Sequence, residues 1–148
     1  MDRPDIRAGD AAPSAAPHAA AAHKARRGMA RLWHAAGYSV QGLRAAWGEK
    51  AFRLEAILAC GMLPASVWLG RGWVEVAVLA GSVAAVLVVE LLNSAIEATV
   101  DRIGPEWHAL SKKAKDLGSA AVFLTTLFCG AVWCAALVAR WYKAGGGG

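Results

Sequence analysis

"VVELLNSAIEATVDRIG", residues 88–104, extends an apolar run yet carries Glu90, Asn93, Glu97 and Asp101. On an α-helix these positions stand at i, i+3, i+7 and i+11, within about 80° of a common direction, and Ser94 joins them. Leu91, Leu92, Ala95, Ile96 and Ala98 in between are apolar, so the polar groups form one stripe. A carboxylate deep in a bilayer costs roughly 2.5–3.5 kcal/mol even on the lenient insertion scale. A stripe of acids there needs a compensating cause: cations, a metal, or a proton shared between carboxylates. What the stripe means depends on whether the chain around it crosses a membrane.

Composition says that it does. Of 148 residues 57% are hydrophobic and only 18% charged, where a soluble domain carries about 25% charged residues. The apolar residues fall in blocks at 51–69, 72–92 and 117–139, and a spanning helix needs about 20 of them. The third block holds no charge. The second has Glu75 and Glu90 near its ends, and the first is interrupted by Pro64, which membrane helices tolerate. A soluble bundle helix would show a polar face along its length. Residues 117–139 offer only Ser119, Thr125 and Thr126. The fold class predicted is an all-α membrane protein with transmembrane helices at about 51–69, 72–101 and 112–141.

Lys and Arg set the orientation. Lys24, Arg26, Arg27, Arg31, Arg44, Lys50 and Arg53 precede or open the first span, and Arg102, Lys112, Lys113 and Lys115 lie between the second and third. The other side has Arg71, Arg140 and Lys143. The N-terminus and the 102–115 loop are therefore expected in the cytoplasm and the C-terminus outside, with Trp68, Trp73, Trp141 and Tyr142 as the outer aromatic belt. The net charge of +5 then reflects topology and anionic lipid rather than a nucleic-acid surface. Cys60, Cys129 and Cys134 fall inside spans and read as small hydrophobes, with no C-x-x-C or Cys/His cluster to hold zinc.

Residues 1–27 are rich in Ala and Pro, cannot bury a core, and read as a disordered tail. No apolar stretch follows their charges as in a signal peptide. Residues 28–50 read as a basic, amphipathic helix in the cytoplasmic interface. There Leu32, Ala36, Val40, Leu43 and Trp47 share a face, although Gly37 and Gly42 weaken the case for an unbroken helix. The domain proper spans 28–143, and 144–148 is a flexible glycine end.

Beside the stripe, "EWHALSKKAKDLGS" (106–119) places Lys112, Lys115, Asp116 and Ser119 at helical spacing where the third span begins. Carboxylates, a lysine and a membrane edge together suit a polyphosphate with Mg²⁺. Phosphoryl transfer asks for that set: carboxylates for the metal, a cation for phosphate oxygens, a base near the accepting hydroxyl. Glu90 and Glu97 are separated by about 10 Å along a helix, so one can reach a hydroxyl at lipid depth while the other stays near aqueous nucleotide. Neither G-x-x-x-x-G-K-[ST] nor a protein-kinase motif set is present. Asn93 and Ser94 could simply bind helices together. Buried acids are a costly way to pack, and Glu90 with Glu97 reads as functional. His34 and His108 are weak signals, and Glu75 and Glu106 suit ordinary solvated charges.

"ELLNSAIEATVDRIG" followed by "HALSKKAKDLGSAAV", with "AAGYSVQGLRAAW…EKAFRLE" upstream, resembles the prokaryotic integral-membrane diacylglycerol kinase family from about residue 30 to 142. The resemblance implies a homotrimer with active sites between subunits, in the bacterial inner membrane, with a cytoplasmic N-terminus and a periplasmic C-terminus. It implies transfer of the ATP γ-phosphoryl group to diacylglycerol. Glu90 would then be the general base, with Asn93 supporting the site, and Glu97 with Glu49 would hold Mg²⁺. Nucleotide contacts would come from Arg31, Tyr38, Glu49, Glu97, Glu106, Trp107, His108, Lys115 and Asp116. Lipid contacts would come from Arg31, Ala35, Ala36, Gly37, Tyr38, Ser39, Val40, Ala51, Phe52, Arg53, Leu54, Glu55, Trp68, Glu90 and Ser119. One departure is that "GEK", between "RAAW" and "AFR", is shorter than the family's pattern, which shifts Glu49 relative to Tyr38.

Other readings stay open on the residues alone. An undecaprenol kinase would share the acidic stripe. A proton or cation path is another use of intramembrane acids, although Lys112, Lys113 and Lys115 crowd its cytoplasmic mouth. A structural assembly subunit would need neither Glu90 nor Glu97.

Overall fold

A computed structural model describes residues 29–145. The tail at 1–27 and residues 146–148 of the glycine end lie outside the described residues. Four helices follow one another: α1 Met29–Ala46, α2 Lys50–Leu69, α3 Trp73–Ile103 and α4 Ala109–Gly145. The chain divides into two units, one ending at Gln41 and one running from Gly42. In the first unit α1 runs unbroken through Gly37, and it continues past Gly42 into the second. Glycine costs a helix about 1 kcal/mol, which Ala, Leu and Arg around these two positions offset.

Helices α2, α3 and α4 are each long and apolar enough to cross a membrane. α3 packs along α4 and, less extensively, along α2. Two small apolar clusters join them: Ala59, Val83 and Cys129, and nearer the C-terminal end of α4, Leu69, Leu79 and Ala136. Trp133 packs against both and donates its indole N–H to the Leu79 carbonyl at 3.3 Å. Pro64 sits inside α2 without ending it, and Ser66 turns its hydroxyl onto the Leu63 carbonyl at 2.6 Å.

Few apolar side chains are buried, and many large ones are exposed. Phe123, Leu124, Leu127 and Phe128 of α4 are all more than half exposed. Along α3, Val88 and Leu92 face outward while Glu90 and Asn93 are buried. That inside-out pattern is what hydrocarbon solvent requires, because polar groups must find their partners within the protein. Cys129 is buried and accepts a hydrogen bond from Ser82 Oγ at 3.5 Å, whereas Cys60 and Cys134 lie on outward faces, and all are free thiols.

The turn between α2 and α3 is tight. The Gly70 N–H bonds the Ser66 carbonyl at 2.9 Å, and a Cβ on Gly70 would stand 2.5 Å from the Val76 side chain and 2.9 Å from its backbone nitrogen. Only glycine fits. Glu75, which reads from sequence as a solvated charge, accepts the Arg71 N–H at 2.9 Å across the start of α3, where a carboxylate also meets the helix dipole favourably.

Candidate active site

The inward face of α3 changes character along its length. Leu79 and Val83 carry it at one end; Glu90 and Asn93 carry it at the other, 4% and 8% exposed. The period that buries the leucine buries the acid, so the stripe seen in the sequence is an inward face. Two other segments close over it: the start of α2 with Glu49 and Glu55, and the start of α4 with Lys115 and Gly118.

Glu90 stands within electrostatic reach of Glu97 and Glu49, and of Glu55 on α2. The structure thus brings together Glu90, Asn93, Glu97 and Glu49, and it adds Glu55. Glu55 enters from the resemblance only as a lipid contact, yet its Oε2 is buried without a hydrogen-bond partner. A buried, unpartnered carboxylate oxygen is costly.

Asn93 Nδ2 donates to Glu97 Oε1 at 3.1 Å, fixing that carboxylate one turn away. Lys115 Nζ reaches across from α4 to Asp101 Oδ1 at 2.5 Å, with the Glu97 charge also in range. Asp116 points elsewhere, paired with Lys112 at 2.5 Å on the exposed face of α4. Glu49 is the N-cap residue of α2, but its side chain makes no capping bond, which leaves the carboxylate free for another partner.

Mg²⁺ is held by one or two carboxylates plus substrate phosphates and water. Glu97 and Glu49 fit that donor set. Among the described residues no three His, Cys, Asp or Glu side chains stand together as a metal cage.

Glu106, Trp107 and His108 line a cavity of about 480 Å³ together with Val100, Ile103, Leu110 and Ala114. His108 also shapes the start of α4: its Nδ1 accepts the Leu110 N–H at 3.2 Å and its carbonyl accepts the Lys112 N–H at 3.0 Å. Of the expected lipid contacts on α2, Phe52 is buried, while Ala51, Arg53 and Leu54 are exposed. Ser119 is exposed on α4. Trp68 lies in the last turn of α2, where the Arg140 guanidinium stacks 4.1 Å from its ring centroid and donates to its carbonyl at 3.1 Å. Residues 35–40 lie in the first unit, where Tyr38 is exposed and Ser39 Oγ bonds the Ala35 carbonyl at 3.0 Å. The side chain of Arg31 lies outside the described set.

Residues 37–137 match the family described as prokaryotic diacylglycerol kinase. Among similar proteins, the diacylglycerol kinase of Escherichia coli is 48% identical over 108 residues, covering 72% of this chain and 88% of the relative. That of Haemophilus influenzae is 47% identical over 107 residues, covering 72% and 91%. That of Pseudomonas aeruginosa is 43% identical over 116 residues, covering 78% and 94%. The match takes in the whole buried acidic face with the helices that close over it, and the chain belongs to the prokaryotic diacylglycerol kinase family.

Proposed function

We propose that this chain transfers the γ-phosphoryl group of ATP to the free hydroxyl of diacylglycerol, giving phosphatidic acid and ADP. The observation that carries the reading is the buried Glu90, set on one face with Asn93 and Glu97 in a chain of this family. Glu90 takes the proton of the lipid hydroxyl as its oxygen bonds to the γ-phosphorus. The bond from that phosphorus to the bridging oxygen breaks, and ADP leaves with the electron pair. A base placed within hydrogen-bond reach of the hydroxyl typically contributes about 10²–10⁴ in rate.

Glu97 and Glu49 would hold Mg²⁺, which when bound neutralises charge on the phosphates. Asn93 fixes Glu97. Lys115 leaves Asp101 to meet phosphate oxygens, and Glu106, Trp107 and His108 contact the nucleotide. The hydrocarbon-facing surface of α2, with Glu55 at its inner edge, receives the lipid.

The assembly is a homotrimer in the inner membrane, its N-terminus cytoplasmic and its C-terminus periplasmic. The exposed, uncharged flank of α4 supports burial against bilayer and neighbouring subunits, and the lysines at the start of α4 support the orientation. The basic helix α1 lies along the cytoplasmic interface, and residues 28–143 form the working domain. The test is an acceptor panel in mixed micelles with Mg²⁺ and γ-labelled ATP. Labelled phosphatidic acid, with little label in undecaprenol, is the result expected. Preferential labelling of undecaprenol would assign the second lipid, and labelling of neither by folded protein would overturn the reading.

A further inference from the structure

Asn93 donates to Glu97 through Nδ2, and its other amide atom, Oδ1, is buried with no N–H or O–H partner. A buried carbonyl oxygen is normally paired, so something else must settle the orientation of this amide. The atom facing Oδ1 belongs to Gly118, on the opposite helix. A Cβ built there would overlap Asn93 Oδ1 while only touching Ile96 Cδ1 at an ordinary 3.8 Å, and Gly118 is itself buried. The hydrogen that glycine carries in the Cβ direction therefore points at Oδ1, a Cα–H···O contact of the kind found where helices approach closely. Rotating the amide by half a turn would put Oδ1 against the Glu97 carboxylate and leave Nδ2 facing a carbon.

We infer that Gly118 is a positioning residue for the metal-binding carboxylate. Its bare Cα lets α4 close onto Asn93, and that contact holds the amide with Nδ2 turned to Glu97. Gly118 touches neither substrate nor cation and acts through Asn93. The inference rests on the proposed role of Glu97 at the cation. The other glycines of α3 and α4, Gly81, Gly130 and Gly145, have open space where a Cβ would stand, so the requirement belongs to this position and not to helix packing at large.

The test compares Gly118→Ala, Asn93→Ala and the double variant. The readout is Mn²⁺ affinity, followed by electron paramagnetic resonance with a non-hydrolysable ATP analogue, alongside thermal midpoints in micelles. The added methyl meets the far end of a flexible side chain, so Gly118→Ala should fold, with Asn93 displaced. Mn²⁺ affinity should fall roughly ten-fold in Gly118→Ala, the size expected when a hydrogen bond to a charged group is lost. In the Asn93→Ala background the same substitution should cost nothing further. Equal losses in both backgrounds, or unchanged Mn²⁺ affinity in a folded Gly118→Ala, would overturn the inference. Should Glu97→Gln leave Mn²⁺ affinity at the wild-type level, the underlying reading of Glu97 fails instead.

Discussion

Lys115 Nζ stands 2.5 Å from Asp101 Oδ1, tying the second turn of α4 to the last turn of α3. Both side chains are well exposed, at 39% and 66%, and an exposed pair of this kind adds little to stability. On the proposed mechanism it holds a cation within range of Glu97, ready for phosphate. Lys115→Ala should raise KM for ATP about ten-fold, as the loss of a charged hydrogen bond does. Asp101→Asn frees the lysine and should change KM less than about three-fold. Initial rates against ATP at fixed lipid measure both, and equal damage from the two variants would count against a phosphate role for Lys115.

Glu97 is held by Asn93 and, on this account, holds Mg²⁺. Glu97→Gln should therefore raise the half-saturating Mg²⁺ concentration while leaving KM for lipid nearly unchanged. Asn93→Ala removes the orienting bond, and changes of that type typically cost 10–100-fold in metal affinity. A metal titration of activity decides. An unaltered Mg²⁺ curve in Glu97→Gln would remove that residue from the metal site.

At the other end of the bundle, Arg140 joins α4 to α2 through the face and the carbonyl of Trp68. The carbonyl has no partner within its own helix because α2 ends at Leu69. Arg140→Ala should lower stability by about 1–2 kcal/mol, which at this size moves the thermal midpoint in micelles by a few degrees. Glu90 lies some four to five turns away along α3, so kcat and KM for ATP should hold. A kinetic defect with an unchanged midpoint would show that the contact serves catalysis.

Much of this architecture is written in the sequence. Hydrocarbon excludes charge so strongly that the blocks at 51–69, 72–92 and 117–139 foretell helices α2, α3 and α4, and a stripe at i, i+3 and i+7 can only be one helix face. What the sequence does not carry is the rotation of one helix against another. Asp101 and Lys115 are each visible as charges, but their pairing depends on how α3 and α4 meet. Glu55 sits within an apolar block, and nothing in its neighbours says that it turns toward Glu90. Gly118 reads as one small residue among several in "DLGSAA" until the Asn93 amide is found against it. Arg140 counts toward topology, and its place over Trp68 appears only when the ends of α2 and α4 come together.

On the proposed mechanism Glu90 is buried to take a proton from a lipid hydroxyl. The most direct test of that role pairs nucleotide binding with phosphoryl transfer in Glu90→Gln, an isosteric change that removes the base and keeps the packing. Mg·ATP affinity should stay close to that of the wild type, with transfer of γ-labelled phosphate to diacylglycerol lowered by about 10²–10⁴. Transfer within a few-fold of wild type, from folded variant protein, would contradict it.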